Sequence, residues 1–127
     1  MEKVTGIGGF FFAAEHPDEL SRWYADHLGI DAPPGDYETS SWRQQAGPTV
    51  FGPMDADSPH LATTTARWSV TLRVESLDRM VEQLRRAGTT VDVDPAAYPN
   101  GRFANLVDPE GNGLQLWQPA GADGAVG

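Results

Sequence analysis

Residues 102–118 read Arg-Phe-Ala-Asn-Leu-Val-Asp-Pro-Glu-Gly-Asn-Gly-Leu-Gln-Leu-Trp-Gln. The middle of this stretch, Asp108-Pro109-Glu110-Gly111, is a turn with a mechanism. Asp at the first position caps it, Pro at the second sets φ, and Gly at the fourth accepts a positive φ. Asn112 and Gly113 add two residues tolerant of left-handed geometry. The flanks alternate. Ala104 and Leu106 face one way, and Phe103, Asn105 and Val107 the other. Beyond the turn, Leu114 and Leu116 oppose Gln115 and Trp117. This pattern specifies a β-hairpin with one buried face and one face that is part polar, part aromatic. The mixed face is a candidate pocket wall.

Working outward, residues 67–74 alternate as a strand, with Val70, Leu72 and Val74 on one face and Ser69, Thr71 and Arg73 on the other. Ser76 is an N-cap candidate for a helix whose apolar stripe is Leu77, Met80, Val81 and Leu84, with Arg85 and Arg86 at its C-terminal end and Gly88 as its stop. Residues 90–93 form a strand and residues 94–101 a loop. An earlier unit has the same order. Residues 7–14 are a Phe-rich strand containing Gly8 and Gly9. Pro17, Asp18 and Glu19 open a helix through Leu20, Trp23, Tyr24 and Leu28, stopped by Gly29. Trp23 and Tyr24 are assigned to the core. Residues 30–38, 40–45 and 49–51 are short strands or irregular segments. Residues 54–66 are a linker or flap, and residues 120–127 a frayed tail.

The chain therefore contains an internal repeat of strand, helix and three strands: module 1 at about 4–53, the linker, and module 2 at about 67–119. Thr49-Val50-Phe51-Gly52-Pro53 echoes Gln115-Leu116-Trp117-Gln118-Pro119. Each module has one helical layer and one sheet, an α+β architecture, and two modules side by side leave a cleft lined by alternate residues.

Composition excludes several functions. The chain of 127 residues fits one domain. It has no cysteine, so disulfides, thiolate metal sites and Cys nucleophiles are excluded. The formal net charge of −9 argues against nucleic acid and suits a cationic small molecule. No apolar run approaches membrane-spanning length, and residues 1–5 lack the layout of a signal peptide, so no membrane association and a cytoplasmic location are expected. No paired carboxylates, nucleophile–base pair or phosphate-cradling glycine loop is visible.

The order of elements, together with Asp108-Pro109-Glu110-Gly111-Asn112 ahead of Gly113-Leu114-Gln115-Leu116-Trp117-Gln118-Pro119, resembles the vicinal oxygen chelate superfamily. That superfamily includes glyoxalase I, bleomycin resistance proteins and extradiol dioxygenases. Residues 6–12, the Trp23-Tyr24 helix ending in Leu28-Gly29, and Arg102-Phe103 fit the glyoxalase/bleomycin-resistance-like branch. The resemblance spans about residues 4–119. It implies two βαβββ modules forming a curved mixed sheet around a cleft, and a homodimer with a ligand between subunits.

Metal-dependent members carry His, Gln or Glu ligands on the first and last strands of each module. The corresponding positions here read Gly9, Thr49, Ser69 and Gln115. Glycine has no side-chain donor, Thr and Ser hydroxyls are poor ligands for a divalent transition ion, and Gln115 alone offers a usable oxygen. His16, His27 and His60 show no close metal-ligand spacing. No metal and no other cofactor is therefore expected, which counts against lyase, isomerase and dioxygenase chemistry. The cleft lining implied by the alternation is Phe11, Trp42, Thr49, Phe51, Ser69, Thr71, Phe103, Asn105, Gln115 and Trp117. It suits stacking on a planar or cationic molecule. The leading expectation is a metal-free small-molecule-binding protein that sequesters a cationic or aromatic compound. The alternatives are an enzyme of the same superfamily with an atypical metal site, and a non-catalytic accessory module.

Overall fold

A strand is stable only when its peptide groups find a partner, and the hairpin supplies its own. In the computed structural model, which describes residues 1–61 and 67–124, β3 (Gly101–Val107) and β4 (Gly113–Pro119) pair antiparallel along their full length. β1 (Val70–Arg73) pairs parallel with β4, and β2 (Asp92–Val93) antiparallel with β3, giving one mixed sheet in the order β1-β4-β3-β2. The turn is built as the sequence specifies, with the Gly111 amide donating to the Asp108 carbonyl at 2.9 Å. Gly111 takes φ +84°, whereas neither Asn112 nor Gly113 has a positive φ.

Two helices cover one face of this sheet. α2 (Leu77–Arg86) starts at Ser76, whose hydroxyl accepts the Arg79 amide at 3.2 Å. The Gln118 side chain, reaching over from β4, accepts the Leu77 amide at 2.7 Å. Leu77, Val81 and Leu84 pack onto Val91, Ala104, Leu106, Leu114 and Leu116, the apolar half of the alternation in each strand. Each buried leucine contributes about 1.5–3 kcal/mol of hydrophobic stabilisation. α1 (Pro17–Leu28) ends at Gly29, in the left-handed region at φ +71°. Its Trp23, Tyr24 and Leu28 rest against the same core, as their helical spacing specifies.

The hairpin turn also secures α1. Asp108 is only 3% exposed. Its Oδ2 accepts the Tyr24 hydroxyl at 2.7 Å and the Asn112 amide side chain at 2.8 Å. Its Oδ1 accepts the backbone amides of Glu110 at 2.9 Å and Asn112 at 3.0 Å. Four donors thus satisfy a buried carboxylate that would otherwise be costly. The side chain of Glu110 accepts the Glu15 and His16 amides at 2.7 and 3.2 Å. A negative charge is thereby placed at the positive end of α1.

The α+β class and the sheet-plus-helix organisation of the second half match expectation. The first half does not form the expected strands. Residues 7–14, 30–38, 40–45 and 49–51 contain no regular strand. Alternation marks a face but names no hydrogen-bonding partner; Gly8, Gly9, Pro33 and Pro34 interrupt two of these segments, and Gly47 and Pro48 separate the other two. The strands expected at 67–74 and 90–93 are shorter, confined to Val70–Arg73 and Asp92–Val93. In the linker, Pro59–Leu61 is a single 3₁₀ turn, and residues 62–66 lie outside the described residues. The tail is tethered rather than frayed over its first part. The Ala120 amide donates to the Asn100 carbonyl at 3.0 Å and Gly121–Asp123 is a 3₁₀ turn, while residues 125–127 lie outside the described residues.

Burial, then the hydrogen bond to Asp108 and its charge, raise the Tyr24 pKa well above the ordinary 10.0. The folded protein therefore holds Tyr24 neutral at pH values where the unfolded chain ionises it. The stability contributed is complete below pH 10 and is lost as pH rises beyond the ordinary value of 10.0. Tyr24→Phe is expected to lower unfolding free energy in urea by about 1.5–3 kcal/mol near neutral pH, the range for a hydrogen bond to a charged group. It is also expected to flatten the alkaline decline relative to wild type.

Candidate functional site

The face of the sheet opposite the helices holds the mixed side chains, ordered by strand register. One row runs Asp92, Asn105, Gln115, Thr71 across the four strands. The Thr71 hydroxyl donates to Gln115 Oε1 at 2.9 Å. The next row runs Phe103, Trp117, Arg73. Asp94 extends it beyond β2, its amide donating to the Phe103 carbonyl at 3.0 Å.

The aromatic rings are held in place from several sides. Phe103 and Trp117 lie parallel, with 4° between planes and centroids 6.4 Å apart. Tyr98 meets Phe103 edge-on at 5.9 Å. The Trp117 indole N–H donates to the Asn100 carbonyl at 2.9 Å. Gly101 makes this possible: at φ +137° it lies so close to the Gln118 carbonyl and the Trp117 indole that a side chain there would collide with both.

The charged ends of the second row are also positioned. Tyr98 donates its hydroxyl to Asp94 Oδ2 at 2.8 Å, and the Ala96 amide donates to Oδ1 at 3.0 Å. The bond from the Ala96 amide, then that from Tyr98, lowers the Asp94 pKa below the ordinary 3.8, so it is anionic at neutral pH. At the other edge Arg73 donates to the Gln45 carbonyl at 3.0 Å, with its guanidinium against Gly47.

Of the side chains expected to line a cleft, Thr71, Phe103, Asn105, Gln115 and Trp117 share this face. Ser69, just before β1, is exposed. Phe11 and Phe51, 90% and 88% exposed, and the exposed Trp42 have no ring contact with Phe103 or Trp117. Thr49 is exposed and bonds only locally, to the Gly47 carbonyl at 3.3 Å. The expected lining is thus divided, with the second-half residues together and the first-half aromatics facing outward. Sequence reasoning placed Arg73 on this face by alternation with Thr71 but did not name it among the lining, and it missed Asp92, Asp94 and Tyr98, of which Asp94 and Tyr98 depend on the path of the loop.

The positions where the wider superfamily holds a metal do not fit one here. Gly9 has no donor, Thr49 and Ser69 offer neutral hydroxyls, and Gln115 Oε1 already accepts from Thr71. Among the described residues no group of three or more His, Asp or Glu side chains converges. Two shallow depressions lie away from this face, one along α2 and Val93 and one beside α1 at Pro17, Ser21 and Pro33.

The sequence pattern of the glyoxalase-like domain family matches residues 9–117, and the chain belongs to that family, within the vicinal oxygen chelate superfamily. The chain is 34% identical over 85 residues to the anthracycline biosynthesis protein DauV of Streptomyces sp. (strain C5). It has the same 34% identity over 85 residues with DnrV of Streptomyces peucetius. Each match covers 63% of this chain and 28% of the relative, so the chain spans roughly a quarter of the length of these curated relatives. In fold it is similar to TnmS3, an antibiotic binding protein from Streptomyces sp. CB03234. The TM-score is 0.59 at 20% identity, over 94% of this chain and 100% of that one. A glyoxalase family protein from Bacillus anthracis gives a TM-score of 0.53 at 17% identity, over 92% and 99% of the two chains. No helix among the described residues is long and apolar enough to cross a membrane.

Calorimetric titration with zinc, manganese or ferrous ion at neutral pH is expected to show no tight stoichiometric site. A one-per-chain site that disappears in Gln115→Ala contradicts this assignment.

Proposed function

We propose that this protein binds a planar aromatic small molecule on the open sheet face, without a metal, and sequesters it in the cytoplasm. The observation that carries this reading is the part-exposed Phe103 ring, backed by the parallel but buried Trp117 and bordered by the side chains of Asn105, Gln115 and Thr71. Flat apolar rings supply stacking area at low entropic cost, and neutral amides and a hydroxyl fix orientation. The net charge of −9 favours approach of a cationic compound. The relatives described as an antibiotic binding protein and as anthracycline biosynthesis proteins are consistent with a polyaromatic natural product as ligand.

A single chain offers one wall. The first half exposes Phe11, Val50 and Phe51 at 90%, 81% and 88%, an unusual amount of apolar surface to leave in water. We infer that a second copy covers it, so that the two modules, about 4–53 and 67–119, close the cleft as a homodimer. Light scattering after gel filtration is expected to give twice the chain mass, and Phe11→Glu with Phe51→Glu to shift it toward the monomer. A monomeric wild type contradicts the closure.

An anthracycline titrated into the protein is expected to quench tryptophan fluorescence saturably. Asn105→Ala with Gln115→Ala is expected to weaken binding by about tenfold, the worth of one or two lost neutral hydrogen bonds. Unchanged affinity in that variant contradicts the site. The name of the curated relatives favours a second reading, a role in the assembly of an aromatic product rather than in its retention. Chemical conversion of the bound compound, followed by mass spectrometry, distinguishes it.

A further inference from the structure

The open sheet face carries its charges at opposite edges. On the β2 side stand Asp92 and Asp94. Asp92 is in register with Asn105 of the open face, and Asp94 follows it by one full alternation. The Asp94 carboxylate is fixed on this side because Tyr98, whose ring meets Phe103, donates its hydroxyl to it at 2.8 Å. On the β1 side stands Arg73, in register with Trp117. Between the two edges lie Thr71, Phe103, Asn105, Val107, Gln115 and the buried Trp117, all uncharged.

Neither edge is neutralised by the other. Three strand spacings separate β2 from β1, roughly 14 Å at about 4.8 Å each. The ion pairs found among the described residues, Arg86–Glu82 and Arg102–Asp78, involve none of these three groups. Arg73 gives one bond to the Gln45 carbonyl, which fixes the guanidinium but carries no charge, and among the described residues it makes no other hydrogen bond. Asp92 is exposed and makes no side-chain bond among the described residues, and Asp94 keeps acceptor capacity beyond its two local donors.

We propose that the ligand of this face is a dipolar, elongated aromatic. Its planar core lies across the strands over Phe103, Asn105 and Gln115, with the buried Trp117 backing Phe103; its cationic amine points to the Asp92–Asp94 edge, and an acidic oxygen group, carboxylate or phenolate, points to Arg73. This inference rests on the small-molecule reading above and adds polarity and direction to it. A three-ring core with a substituent at each end matches the separation of the two edges. The acids attract and orient the amine. The guanidinium receives the oxygen group in a forked, charge-assisted contact. A ligand turned end for end places like charges together at both edges and is disfavoured.

Four anthracene probes test this with the whole chain, by calorimetry at low ionic strength. One carries an aminomethyl group at one end and a carboxylate at the other. Two carry only one of these groups, and a neutral one carries two hydroxymethyl groups. The doubly charged probe is expected to bind tightest. Arg73→Gln is expected to weaken the carboxylate-bearing probes by about threefold or more and to leave the aminomethyl-only and neutral probes unchanged. Asp92→Asn combined with Asp94→Asn is expected to do the reverse, weakening only the aminomethyl-bearing probes. Circular dichroism checks that each variant keeps its fold. If the neutral probe binds but neither set of variants discriminates by charge, the polarity is overturned and the binding face stands. If no probe binds, the neutral one included, both fall.

Discussion

The arrangement of this chain depends on one buried carboxylate. Asp108 begins the β3–β4 turn and is 3% exposed, so its charge has to be met by donors. Two of those donors are turn amides, which fix the turn. A third is Tyr24, from the other half of the sequence, which fixes α1 against the sheet. Glu110, two residues on, holds the peptide groups that lead into α1. α1 is thereby held on the face of the sheet that α2 also covers, and the opposite face is left to the polar and aromatic half of the alternation. The site is a consequence of which face the helices occupy.

What the sequence disclosed divides along the same lines. The hairpin, the Ser76 cap, the Gly29 and Gly88 stops and the α2 stripe were legible because each is decided within a few residues by turn chemistry, capping or helical period. The Tyr24–Asp108 and Glu110–His16 bonds were not, because no local pattern states that residues so far apart in the chain will meet. The first-half strands were read from alternation and from the echo of the second module. Alternation states a face and leaves the partner open, and within one chain those segments have no ladder. Alternation alone therefore puts Phe11, Trp42 and Phe51 beside Phe103 and Trp117, whereas in the single chain they face outward.

The same distinction shapes the chemistry. Glyoxalase-like family membership describes a scaffold, and the side chains decide what it does. Here the positions that hold metal ligands in related enzymes carry a glycine, two hydroxyls and an amide already engaged by Thr71. What remains on the face are stacked rings, neutral hydrogen-bonding groups and charges kept at the two margins. Those properties are suited to holding and orienting a flat molecule.

The central claim is that the open face, and no other surface, receives the ligand. Amide and indole NMR spectra recorded as a planar aromatic compound is added test it most directly. The account expects the largest shifts at the side-chain amides of Asn105 and Gln115 and at the Trp117 indole, with the outer surface of α2 unaffected. Shifts concentrated instead along the depression lined by Asp78, Val81, Glu82 and Arg85 would contradict it.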